Sequence, residues 1–119
     1  MPSVFGIKRR DNLPLLRATL WEDAEKTTPV DLTNADVIKL KVGRSGQPLI
    51  IDRAVDIVDP PTTGKVQTQI TSVESNKNPE NYQMEFEVTW GGTEPNDVST
   101  YPKEGFLTFT IHPDLDPPE

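Results

Sequence analysis

Apolar side chains recur at every second position over much of this chain, the period of a half-buried β-strand. Leu16, Ala18 and Leu20 share one face against Arg17, Thr19 and Trp21. After a polar turn through Pro29, Asp31, Thr33 and Asn34, Ile38, Leu40 and Val42 alternate with Lys39 and Lys41. Neither segment would give a helix a continuous apolar stripe, so the pair predicts two antiparallel strands of a sheet with one face in water. Val66, Thr68 and Ile70 repeat the pattern. The strongest strand sets Tyr82, Met84, Phe86, Val88 and Trp90 against Gln83, Glu85, Glu87 and Thr89, and its apolar face is expected at the middle of the core. In the last strand Leu107, Phe109 and Ile111 point inward.

Between these strands the chain is punctuated by turns. Residues 4–8 predict a short edge strand, closed by the charged run Lys8-Arg9-Arg10 that discourages unwanted pairing. Residues 49–52 and 54–58 read either as one interrupted strand or as a tight hairpin. Thr71 with Glu74 three residues later predicts a capped helical turn. Residues 91–102 read as a long polar loop. The whole predicts an all-β fold: a single-domain antiparallel immunoglobulin-like β-sandwich of about seven to eight strands. Its expected divisions are an N-terminal arm and edge strand over residues 1–14, the sandwich over 15–112, and an extended proline-rich tail over 113–119.

Composition sharpens this. Of the 119 residues 34% are hydrophobic, enough for a core one side-chain layer deep and no more. The twelve prolines mark strand ends and turns, because proline cannot donate to a central ladder. With no cysteine, disulfides and thiolate chemistry are excluded. The net charge is -7, unevenly spread: residues 1–20 carry +3 and the remainder -10. An acidic body repels nucleic-acid phosphates. The first residues contain no apolar run of signal-peptide or membrane-span length, and the expectation is a protein not exported by that route.

Candidate chemistry is sparse. The one histidine, His112, ends a strand on its outward face, and no Gly-x-Ser-x-Gly elbow offers it a serine partner. Asp52, Asp56 and Asp59, Asp114 and Asp116, and Asp31 and Asp36 form local acidic groups, but no calcium-loop spacing joins them. Glu85 and Glu87 lie two residues apart on a flat strand, without the opposed walls a glycosidase pair needs. Trp21, Trp90 and Tyr101 could form a sugar platform; Trp90 belongs to the core set, which leaves Trp21 as the outward aromatic, a residue type enriched at protein interfaces. The reading is a protein without catalytic residues, metal or cofactor. Its expected partner contacts are Val4, Phe5, Ile7, Lys8, Arg9 and Arg10 from the first strand, Trp21, and Asp114 and Leu115 from the tail.

A resemblance extends this reading. Leu15-x-Arg17-Ala18-Thr19-Leu20-x-Glu22-Asp23, followed by Thr28-Pro29-Val30-Asp31-Leu32-Thr33-Asn34-Ala35-Asp36-Val37, resembles the N-terminal domain of phage baseplate upper proteins. The likeness resumes at Asp59-Pro60-Pro61-Thr62-Thr63-Gly64-Lys65-Val66, along residues 82–90, and at Tyr101-Pro102-Lys103-Glu104-Gly105-Phe106-Leu107. Two departures stand out. Lys26-Thr27-Thr28 replaces a turn glycine, and Asn34 replaces another, asparagine being the next-best residue for a left-handed backbone. The resemblance implies a non-enzymatic structural protein of a tailed phage particle, made in the host cytoplasm and resident in the virion. It would be a tail or baseplate adaptor docking onto other virion subunits, in a homo-oligomer or symmetric assembly, with no nucleic acid or membrane partner. With few residues after the last strand, the family's helical stalk is not expected here. A capsid decoration protein and a carbohydrate-binding module are the alternatives.

Overall fold

The computed structural model describes residues 4–91, 97–103 and 105–114. Among these, nine strands build two facing sheets. The strands are β1 (Val4–Lys8), β2 (Leu16–Thr19), β3 (Ala35–Gly43), β4 (Ile51–Ala54), β5 (Asp56–Ile57), β6 (Lys65–Thr68), β7 (Glu80–Trp90), β8 (Val98–Tyr101) and β9 (Leu107–His112). A 3₁₀ turn (Pro61–Thr63) precedes β6, and one helical turn, α1 (Ser72–Ser75), precedes β7.

The larger sheet has the order β1-β9-β7-β3-β4, and the smaller β2-β6-β5. The long strand β7 is the spine. One of its edges is taken by β3 over nearly its full length, so β9 (opposite residues 80–84) and β8 (opposite 86–89) share the other edge end to end. The alternation of β7 survives intact: Tyr82, Met84, Phe86 and Val88 are buried in the core with Ile38, Leu40 and Val42 of β3. Trp90 is only half-buried, its indole N–H donating to Ser99 Oγ at 3.2 Å. Glu85 and Glu87 point outward, and Lys41 bridges to Glu87 at 2.9 Å.

The all-β sandwich expected from the sequence is the fold, with four differences of detail. First, β2 and β3 are not neighbours: β2 pairs with β6 in the smaller sheet and β3 with β7 in the larger. Alternation says which side of a strand is buried, and two strands facing each other across one core share that signature. Second, residues 51–57 are neither an interrupted strand in one sheet nor a hairpin. The chain leaves the larger sheet after Ala54 and enters the smaller at Asp56, so β4 and β5 close one flank of the sandwich. Third, residues 98–101 of the expected loop are the strand β8, which buries Tyr101. Fourth, β1 pairs with β9 in parallel, so the sheet is mixed rather than purely antiparallel. β1 is an edge strand as expected, but it is built into the sandwich: Ile7 is 1% exposed and Phe5 packs on Phe109 with ring centroids 5.2 Å apart.

The helical turn forms as its capping residues dictate. Thr71 Oγ1 accepts from the Glu74 amide at 3.0 Å, and Glu74 Oε1 accepts from the Thr71 amide at 2.9 Å. The Glu74 carboxylate also accepts two bonds from Arg53 of β4, Nε at 2.6 Å and Nη2 at 2.9 Å, while Arg53 Nη1 reaches Thr68 Oγ1 of β6 at 2.7 Å. One guanidinium thus ties the larger sheet, the smaller sheet and α1 together.

Candidate docking groove

Six strands cannot be covered by three. The uncovered part of the larger sheet's inner face lies on the flank opposite the β4–β5 crossing, and there the structure has a groove of about 1150 Å³. Phe5 of β1, Met84 of β7, Tyr101 at the end of β8, Phe106 just ahead of β9 and Leu107 at its start supply its apolar wall. β2 and the segment after it supply the other, from Arg17 to Trp21. Phe106 is 46% exposed, a large apolar side chain left in the open on the groove.

The backbone of β2 explains why this flank stays open. The Leu20 amide donates to the Gly64 carbonyl at 2.7 Å, and the Leu20 carbonyl accepts from the Val30 amide at 2.9 Å. Antiparallel residues alternate between bonding one neighbour and facing the other way. The peptide groups of Leu16, Ala18 and Leu20 therefore face β6, and those of Arg17, Thr19 and Trp21 face the groove. Among the described residues no strand pairs with this edge. Side chains from both faces of β2 line the groove, Ala18 and Leu20 from within and Arg17 and Thr19 from without, so it runs along the edge itself.

The segment following β2 is a firm wall. Asp23 accepts from the amides of Thr27 (3.1 Å) and Thr28 (3.0 Å) and from the Thr27 hydroxyl. These bonds, the hydroxyl's foremost, hold its carboxyl below the usual range. Lys26, the first residue of the Lys26-Thr27-Thr28 run that stands in place of a turn glycine, occupies a left-handed conformation at φ 61°; Asn34, the other departure, is not among the residues with positive φ. Lys103 closes the end of the groove, bridging to Glu22 at 3.2 Å with its ammonium 5.9 Å from the Tyr101 ring centre. Burial pushes the Tyr101 phenol upward.

The expected contact residues divide between two places. Phe5 and Trp21 line the groove, both half-buried. Lys8, Arg9, Arg10 and Asp114 gather at the opposite end of β1. Lys8 is exposed across from His112. Arg9 Nε donates to Asn76 Oδ1 at 3.2 Å, and Arg10 pairs with Asp114 at 3.7 Å. Ile7 is a correction: its side chain lies in the core and presents nothing to a partner. Val4 belongs to β1, though its side chain and Leu115 lie outside the described residues. Asp114 faces Arg10 rather than His112, whose ring lies against the Gly6 backbone so closely that a Cβ there would meet Nε2 at 2.8 Å.

Tyr101, weighed from the sequence with Trp21 as part of an aromatic platform, lines the groove, and Met84, Phe106, Leu107 and Lys103 are groove residues the sequence did not single out as contacts. Phe106 carried a signal, being apolar yet out of phase with Leu107, Phe109 and Ile111. Among the described residues no group of three or more His, Asp or Glu side chains could hold a metal ion. In comparisons with known proteins, no family model and no curated protein matches the chain.

Proposed function

We propose that this chain is a non-enzymatic docking subunit of a tailed phage particle, a tail or baseplate adaptor that binds other virion subunits through the groove beside β2. The observation that carries the docking role is the groove itself, an apolar hollow lined by Phe5, Phe106 and Leu107 and running along a strand edge that no strand among the described residues pairs with. An open edge next to an apolar hollow invites another chain, and solitary domains usually block such edges. The phage assignment rests on the sequence motifs. Their residues have structural work in this fold: Val30 and Leu32 of the Pro29-Val30-Asp31-Leu32-Thr33 run are buried core residues, and Asp31 accepts from the Thr33 amide at 3.0 Å to shape the turn between them and β3.

Mass spectrometry of purified particles, separated into heads and tails, tests the assignment. The chain is expected in the tail fraction at fixed stoichiometry. A Phe106→Glu variant, altered at an exposed site, is expected to fold normally and be lost from particles. Absence of the wild-type chain from particles would overturn the phage reading, and recovery in the head fraction would make it a decoration protein.

A further inference from the structure

The geometry points to a specific occupant for the groove: an extended segment of a partner protein, alternating apolar and acidic residues, that pairs with β2 as a fourth strand of the smaller sheet. This deepens the docking reading and rests on it. Three observations converge. The peptide groups of Arg17, Thr19 and Trp21 face the groove in the alternation an added strand requires, and no described strand uses them. Main-chain bonding to such an edge supplies affinity for any extended chain, while the side chains on either face select the sequence.

The two faces differ. Residues of an added strand that point between the sheets would meet Phe5 and Leu107, both half-buried, an apolar surface. Residues that point outward would lie beside Arg17 and across the sheet from Lys65, since cross-strand neighbours share a face. Arg17 and Lys65 are exposed and have no ion pair among the described residues. Of the acids on the groove, Glu22 is paired with Lys103 and Asp23 accepts bonds from its own loop, so the four basic residues of the lining, Arg17, Lys26, Lys65 and Lys103, outnumber the two acids. On a chain of net charge -7 this is a local positive strip, complementary to carboxylates. The edge from residue 17 to residue 21 spans about 13–17 Å, which fits a segment of about five residues.

Nuclear magnetic resonance titration of the labelled full chain tests this with a defined probe, a capped synthetic peptide of about seven residues alternating aspartate and valine. The expected result is saturable binding, with the Arg17, Thr19 and Trp21 amides shifting and gaining protection from hydrogen exchange. The Arg17→Glu, Lys65→Glu double variant should weaken binding by about tenfold or more. A lysine–valine peptide of equal length, or the acidic peptide methylated at alternate amide nitrogens, should fail to bind. Equal binding of acidic and basic peptides would reduce the site to an apolar hollow and overturn the proposal. Dimerisation without peptide that protects the same amides would also overturn it, assigning the edge to a second copy. If the acidic peptide does not bind while Phe106→Glu is still lost from particles, the strand occupant is wrong and the docking role stands. If Phe106→Glu also enters particles normally, the groove has no docking role and both readings fall.

Discussion

Gly64 shows how much of this fold can hang on a missing side chain. It ends the 3₁₀ turn at φ 69°, its amide donating to Pro61 O at 3.3 Å and its carbonyl accepting from Leu20. A Cβ there would lie 2.8 Å from Leu20 O and 2.9 Å from Val30 O, backbone atoms of residues that continue the bonding at the end of β2, where the Val30 amide donates to Leu20 O. Leu20 cannot move without loosening its bonds to Gly64 and Val30 at the end of β2, beside the groove. Gly46, at φ 79°, has the same handedness and nothing within 4 Å of its absent Cβ. Gly46→Ala should therefore cost only the left-handed strain, about 1 kcal/mol. Gly64→Ala should cost about 3 kcal/mol or more, because the clash adds to the strain. Urea unfolding of the two variants separates them; equal losses would mean that the backbone around Gly64 yields.

Among the elements, α1 and β4 share one electrostatic joint. Two bonds from Arg53, together with the Thr71 amide, hold the Glu74 carboxyl below its ordinary value of 4.5, with the Arg53 hydrogen bonding the largest cause. A carboxyl whose pKa is lower folded than unfolded stabilises fully above the unfolded value and loses that contribution as pH falls through the folded one. Stability should thus hold from neutral pH to about 5 and fall below 4.5. Glu74→Gln should cost about 1–2 kcal/mol at pH 7 and much less at pH 3, which thermal melts across that range would show. A constant cost at every pH would mean that the carboxylate charge contributes nothing. The capping box behind this joint was legible in the sequence, since Thr71 and Glu74 are close along the chain. So were β7 and β9, whose alternation is uninterrupted. The Arg53 partnership was not, because it joins residues whose proximity depends on the chain changing sheets at Val55. β8 was hidden by the polar residues before it. The groove was invisible for a similar reason, being set by the unequal widths of two sheets rather than by any local pattern, although the out-of-phase Phe106 marks its rim.

At the scale of the whole molecule, β1 decides what counts as the body. The sequence set an N-terminal arm and edge strand over residues 1–14 apart from the sandwich over 15–112, yet Ile7 of that edge strand is in the core and Phe5 packs on Phe109. Ile7→Ala should cost about 2–4 kcal/mol in urea unfolding, and Lys8→Ala should stay within about 0.5 kcal/mol of wild type. An unaltered Ile7→Ala midpoint would mean that β1 is dispensable to the core. The parallel pairing of β1 with β9 also fixes how the molecule bears a mechanical load. Tension applied ahead of β1 and beyond β9 draws these neighbours in opposite directions along their own axes. The hydrogen bonds across the register from Val4–Thr108 to Lys8–His112 then share the force at once. A hairpin pulled at its open end instead surrenders its bonds one at a time. A link strung through these two strands resists stretching in shear, the stronger of the two geometries.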